Sequence, residues 1–214
     1  TYVYGENAPL QAIRDRYGNQ ITITHSSGQS GSVTQVTGPD GRWISFAYAS
    51  TTCTTCISQA TDQAGRTVSY AYDTNKRLTT VTDVKGGVTT YTWNNTAGKL
   101  DQLLSIKDPR GITYLQNTYD ANNRIATQTL ADGGIYRFTY TTDAANKVTR
   151  TDVTAPSGAI SRYDFTGGVL TTMTQALGTP QQTVTTISRD PITNRVTQVV
   201  DPLARTTTYG YDPL

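Results

Sequence analysis

One histidine and two cysteines are the entire supply of imidazole and thiolate metal ligands in these 214 residues. A structural zinc site takes four ligands, so one His and a single C-T-T-C do not complete one within the chain. A Ser-His-Asp arrangement would rest on His25 alone, and no G-x-S-x-G turn accompanies it. Charge is scarce too: 16% of the residues are charged and the net charge is +2, against roughly 25% charged in an average domain. That excludes a polybasic nucleic-acid surface. No apolar run of about 18 residues is present for a membrane span, and Thr1 to Gly5 has neither the charged start nor the apolar stretch of a signal peptide. Hydrophobic residues make up only 36%, a low share that accompanies disorder when net charge is high, which it is not here.

Threonine and tyrosine fill the gap. There are 42 Thr and 14 Tyr, both strand formers, so long helices are not expected. A four-residue opening recurs at Asp15, Gly38, Asp62, Asp83, Asp108, Leu130, Ala155, Gln175 and Asp201, at spacings of 20–26 residues, which makes eight complete units. Asp108, Pro109 and Gly111 supply the Asp, Pro and Gly preferences of a type I turn at its first, second and fourth places.

Eight and ten residues after each start stand two positions that are repeatedly aromatic: Phe46 and Tyr48, Tyr70 and Tyr72, Tyr91 and Trp93, Phe138 and Tyr140, Tyr163 and Phe165, Tyr209 and Tyr211. Two apart means one face of a strand. Ile23 and His25 occupy the pair in the first unit. In the unit from Asp108, Tyr119 falls one place late, and the unit from Gln175 offers Thr183 and Thr185.

A second turn follows each pair, as at Asp73 to Asn75, Asn95 to Gly98, Asp120 to Asn123, Asp143 to Asn146 and Asp190 to Asn194, with Gly or Asn suited to a left-handed residue. Basic and aliphatic residues come next, as Arg77 and Leu78 or Arg195 and Val196. One unit therefore reads turn, strand, turn, strand, an antiparallel hairpin. Leu78 and Val81 are three apart, as are Val196 and Val199. That spacing requires either a bulge or burial on both faces.

The pattern DxxGRxxxYxYDxxGRLxxVx, carried by Asp62 to Thr82, resembles the Rhs or YD repeat of bacterial Rhs proteins, wall-associated proteins, toxin-complex C subunits and teneurins. The resemblance runs over essentially the whole chain. It implies an all-β, solenoid-like spiral of antiparallel hairpins, one per repeat, that in full-length relatives closes into a hollow shell. It also implies a bacterial protein, secreted or at the cell surface, whose partners are the rest of the shell and its cargo domain. Tyr2 and Tyr4 resemble the aromatic pair of an earlier unit, and Tyr209 to Leu214 stops halfway through a ninth. The expectation is one repeat array over 1–214, a fragment of a larger protein. About sixteen strands at roughly 4.8 Å give an arc near 75 Å, an open section of wall whose edge strands invite edge-to-edge self-association.

Five groups of residues are candidates to carry chemistry. Cys53 and Cys56 flank a tip where a disulfide tolerates Cα separations of roughly 4.4 to 6.8 Å, so a bridge is the reading taken, with free thiols and redox or metal work as alternatives. His25 replaces an aromatic on a strand face, or serves as a general base. The repeated aspartates, Asp15, Asp40, Asp62, Asp83, Asp108, Asp132 and Asp201, suit turns better than calcium, because a whole unit separates them. The glycine pairs Gly86–Gly87, Gly133–Gly134 and Gly167–Gly168 fall at turns and form no phosphate loop, so no cofactor is expected. The aromatic ladder packs across strands or, if exposed, offers stacking platforms to a cell-surface glycan. A non-enzymatic structural module is the first reading and a carbohydrate-binding or adhesive array the second.

Overall fold

The computed structural model describes residues 1–4, 9–27, 31–48 and 53–212. The expected halt at Leu214 and the residues between Tyr48 and Cys53 lie outside these. Nineteen strands and no helix occur among the described residues, so the chain is all-β. It divides into two compact units, 1–113 and 114–214.

In the first unit the strands are β1 (Tyr2–Tyr4), β2 (Leu10–Arg14), β3 (Gln20–His25), β4 (Val33–Thr37), β5 (Trp43–Tyr48), β6 (Ile57–Asp62), β7 (Thr67–Tyr72), β8 (Leu78–Thr82), β9 (Val88–Trp93) and β10 (Leu103–Lys107). Each pairs antiparallel with the next in sequence. The second unit continues the pattern from β11 (Thr113–Tyr119) through β12 (Ile125–Leu130), β13 (Ile135–Thr142), β14 (Val148–Thr154), β15 (Ile160–Thr166), β16 (Val169–Gln175), β17 (Thr183–Arg189) and β18 (Val196–Val200) to β19 (Thr206–Thr208). Its neighbours also pair antiparallel in chain order.

Both turns of a repeat share one geometry. At Asp83 the Gly86 N–H donates to the Asp83 carbonyl and the Asp83 N–H to the Gly87 carbonyl, at 3.0 and 2.8 Å. At Asp73 the Lys76 N–H and the Arg77 carbonyl play the same parts. The fourth residue has a positive φ, 83° at Gly86 and 63° at Lys76, as in a type I turn closed by a bulge. The left-handed place in the Asp73 turn therefore belongs to Lys76, and Asn75 precedes it. Aspartate recurs at the first place because its Oδ1 accepts two backbone N–H groups. Asp62 takes those of Ala64 and Arg66, and Asp73 those of Asn75 and Arg77.

The odd spacing in the second strand is a bulge. Tyr72 opposes Leu78 and Ala71 opposes Thr80, so Thr79 is the extra residue, and Tyr70 then opposes Val81. Leu78 and Val81 thereby share the face of Tyr70 and Tyr72. The bulged Thr79 donates its hydroxyl to the Ala71 carbonyl at 3.1 Å, and Thr34, Thr149 and Thr171 do the same to Thr24, Thr141 and Asp164. A threonine here satisfies the carbonyl that the slipped ladder leaves open.

The two faces differ in kind. One carries rows such as Phe46–Ala60–Val68, Tyr91–Ile106 and Trp93–Leu103. The other carries Gln35–Ser45–Thr61–Thr67 and Ala71–Thr80–Thr90. This division accounts for the threonine content. Only Ala12 and Cys53 are fully buried apolar residues, and no large side chain is fully buried among the described residues. Each unit is thus a single layer with a half-buried aromatic face, which is why so few hydrophobic residues suffice.

Two of the sequence alignments are corrected by the strand registers. In β17 the bulge partners are Arg189 with Val196 and Ile187 with Val199, so Ile187 and Arg189 hold the pair's places, and Thr183 and Thr185 do not. The cause is a seven-residue connection, 176–182, in place of the usual short turn, together with a strand one residue longer than β7. In β11 one additional strand residue puts Tyr119 opposite Ile125, the second aromatic place, and leaves the first to Asn117.

Candidate functional site

In five of the six aromatic pairs, all but Tyr163 and Phe165, the second member ends in a polar atom, and that atom reaches back across the sheet. The hydroxyls of Tyr48, Tyr72, Tyr140 and Tyr211 donate to the carbonyls of Val33, Ile57, Ile125 and Val196 at 2.7–2.9 Å, and Trp93 Nε1 donates to Leu78 at 2.7 Å. Every bond spans fifteen residues and ends on the first residue of the preceding hairpin's second strand. Burial raises the pKa of the Tyr72 and Tyr140 hydroxyls, with the neighbouring Tyr70 and Asp120 adding to it respectively.

One residue earlier stands the arginine of the second turn. Arg77, Arg124 and Arg195 lie over the rings of Trp93, Tyr140 and Tyr211, with 5.7, 4.7 and 5.1 Å from guanidinium carbon to centroid. Two of them are anchored from behind: Arg77 Nε donates to Asp73 Oδ2 at 2.7 Å and Arg124 Nε to Asp120 Oδ2 at 2.9 Å. Arg77 goes further. It donates to the Asn94 carbonyl and Asn95 Oδ1, both at 2.8 Å, and to the Leu100 carbonyl, so it ties its own tip to the next one. Aspartate, arginine, aromatic ring and backbone carbonyl thus form one clamp between consecutive hairpins, in both units.

The candidate residues therefore separate by role. Phe46, Tyr48, Tyr70, Tyr72, Tyr91, Trp93, Phe138, Tyr140, Tyr163 and Phe165 are all partly buried, whereas Tyr209 and Tyr211 are 47% and 50% exposed. His25 takes the aromatic's place literally: Nε2 lies 3.1 Å from the Leu10 carbonyl, again fifteen residues back, and Nδ1 lies 2.7 Å from that of Gly31. Only an imidazolium donates to both. The Gly31 carbonyl, followed by that of Leu10, raises the His25 pKa. The aspartates are engaged in turns. The Arg66 side chain, above all, holds Asp62 below the ordinary carboxylate range, and the Arg205 N–H foremost does so for Asp201. No group of three or more His, Cys, Asp or Glu side chains suited to a metal is gathered among the described residues.

Cys53 and Cys56 are joined as a disulfide with their Cα atoms 5.3 Å apart. Sequence reasoning missed three features: the buried Asn117 in an aromatic's place, Arg189 in another, and a cross-strand ion network on the opposite face of β14 and β15. In that network Arg150 meets Asp164 at 2.7 Å and Arg162 meets Asp152 at 2.8 Å. Its signal was present as R-x-D in both strands. In the first unit Ile21, Val36, Trp43, Ile44 and Phe46, with the ion pairs Asp40–Arg42 and Asp62–Arg66, line a concavity of about 1050 Å³.

Three solved structures share this fold. A TcdB2–TccC3–Cdc42 crystal structure matches with 14% identity and a TM-score of 0.57, over 83% of this chain and 10% of that one. The Photorhabdus luminescens Tc holotoxin pore matches at 11% and 0.54, over 93% and 12%. TcdB2–TccC3 without its hypervariable C-terminal region matches at 13% and 0.55, over 93% and 13%. This chain therefore spans about a tenth of the length of those chains. No curated protein matches the sequence. The RHS Repeat family model matches residues 56–88 and 72–113, the stretch in which turn, aromatic pair, clamp and bulge follow one another most regularly. The RHS repeat is thus identified over residues 56–113 of this chain.

Proposed function

We propose that this chain is a non-enzymatic section of β-wall from a large exported bacterial Rhs-type protein, in which rows of hairpins enclose or present a toxin or surface domain. One observation carries the reading. The polar tips of Tyr72, Trp93 and Tyr140 are used up inside the wall on carbonyls of the preceding hairpin, and arginines of that hairpin cover the rings of Trp93 and Tyr140, so the chemistry of these residues is cohesion. The fold shared with Tc toxin components supports the comparison with a shell. The partners in this reading are the remaining repeats and the enclosed domain, and exposed strand edges bring copies together at high concentration. No helix among the described residues is long and apolar enough to cross a membrane. The test is limited proteolysis of the parent protein: the enclosed domain should resist cleavage until the repeats are cut. Cleavage at the rate of the separated domain would overturn enclosure.

A surface glycan-binding array is the second reading. Tyr209 and Tyr211 are half exposed and, with Asp190 and Arg195, line a groove of about 420 Å³. Selective binding on a glycan array that Tyr209→Ala and Tyr211→Ala abolish would favour it, and an array without signal would remove it.

A further inference from the structure

The hairpin tip between β5 and β6 departs from the others. Arg77, Arg124 and Arg195 each stand sixteen residues ahead of the ring they cover. Sixteen residues ahead of Tyr72 stands Cys56. The bond that accompanies the arginine is kept, since the Tyr72 hydroxyl donates to the Ile57 carbonyl at 2.8 Å. What changes is the closure of the tip: the Cys53–Cys56 disulfide stands where an aspartate–arginine pair closes the Asp73 and Asp120 turns, and the Cys56 N–H donates to the Cys53 carbonyl at 3.0 Å. An ionic clip is replaced by one that a thiol can open.

The two sulfurs are not equivalent. Cys53 is 3% exposed and Cys56 is only partly buried. Thr55 Oγ1 lies 3.7 Å from Cys53 Sγ, and because a disulfide sulfur carries no hydrogen, the hydroxyl is the donor. Exchange requires access to the attacked sulfur and proceeds faster when the departing thiolate is stabilised. Both conditions select the same direction.

We propose that Cys53–Cys56 is a reducible latch, opened by a dithiol that attacks Cys56. The dithiol's thiolate bonds to Cys56 Sγ, the S–S bond breaks, and its electron pair leaves on Cys53 Sγ beside the Thr55 hydroxyl. The dithiol's second sulfur, as thiolate, then attacks the dithiol sulfur of the mixed disulfide, and Cys56 departs as thiolate. The dithiol ends as a disulfide, and the two cysteines take up its two protons. Opening frees this tip alone and loosens the hold of β6 on Tyr72.

The intact oxidised chain is treated with glutathione, quenched with an alkylating agent and mapped by peptide mass. The expected product carries glutathione on Cys56 and the alkyl label on Cys53, in about tenfold excess over the reverse. Equal or inverted labelling, or reaction only in denaturant, overturns the assignment. Amide hydrogen exchange with and without dithiothreitol reads the consequence: residues 53–60 and 70–72 should exchange about tenfold faster on reduction, while residues 135–166 do not change. Cys53→Ser/Cys56→Ser should show the fast pattern in either buffer. Should that variant not fold, the wild-type pair of measurements decides alone, and identical exchange in the two redox states refutes the latch.

Discussion

Replacing Arg77 with Met keeps the aliphatic stem and removes the guanidinium. Its side chain is 11% exposed and that of Asp73 is 22%, so the pair is largely out of water. Loss of the cation strands the Asp73 carboxylate and leaves the carbonyls of Asn94 and Leu100 without their donor. Removing one partner of a buried pair costs about 3–5 kcal/mol. Asp73 keeps two backbone N–H donors, which puts the expected cost near the lower bound, about 3 kcal/mol. Arg66 is the internal control. It makes the same i,i+4 pair with Asp62, but its side chain is 69% exposed, and Arg66→Met should cost about 0–1 kcal/mol. Urea denaturation followed by tryptophan fluorescence suits the comparison, because Trp93 lies beneath Arg77. The m-values must match for the midpoints to be compared. A cycle with Asp73→Asn separates the ion pair from the carbonyl bonds. Equal costs at Arg77 and Arg66 would show that the tip-to-tip link contributes nothing and would sink the clamp.

Thr79→Val should cost about 0.5–1.5 kcal/mol by opening the Ala71 carbonyl at the bulge, whereas Thr80→Val, one place on, should be nearly neutral; thermal melts distinguish them. Gly134→Ala should destabilise by about 1–3 kcal/mol, because the new methyl would stand 3.0 Å from Pro156 of the next turn, and Pro156→Gly should relieve part of the loss. Asp62, Asp201 and their like have lowered folded-state pKa values. Their stabilisation is complete above about pH 3.9 and is lost as pH falls through the lower folded values, so urea midpoints should hold from pH 7 to about 4 and drop below. A decline already between pH 7 and 5 would contradict that. The His25 pKa is raised, so its contribution is complete below about pH 6.5 and disappears as pH rises through the folded value. A proton NMR titration of the single imidazole that gave an ordinary or lowered pKa would refute the two-carbonyl geometry.

Much of this wall was legible because turn chemistry is local. An aspartate that binds the N–H groups two and four residues on leaves its signature within five positions, so Asp62 to Arg66 and Asp73 to Arg77 could be read without a structure. The aromatic pair was legible for the same reason, since strand alternation puts residues two apart on one face. Register was not local. Whether Leu78 and Val81 share a face depends on the bulge at Thr79, which exists only in the hydrogen bonds between two strands. The same holds for Ile187 and Arg189, hidden behind a seven-residue connection that no spacing rule anticipates. The clamp lay beyond reach altogether. Its offsets of fifteen and sixteen residues are constant in the sequence, but they acquire meaning only when a tyrosine on one hairpin meets the carbonyl and guanidinium of the one before it. The hairpins are written in the order of residues alone, because they form through contacts within a few positions. Tertiary structure decided how each hairpin holds the last, because that bond forms between strands that only the sheet brings together.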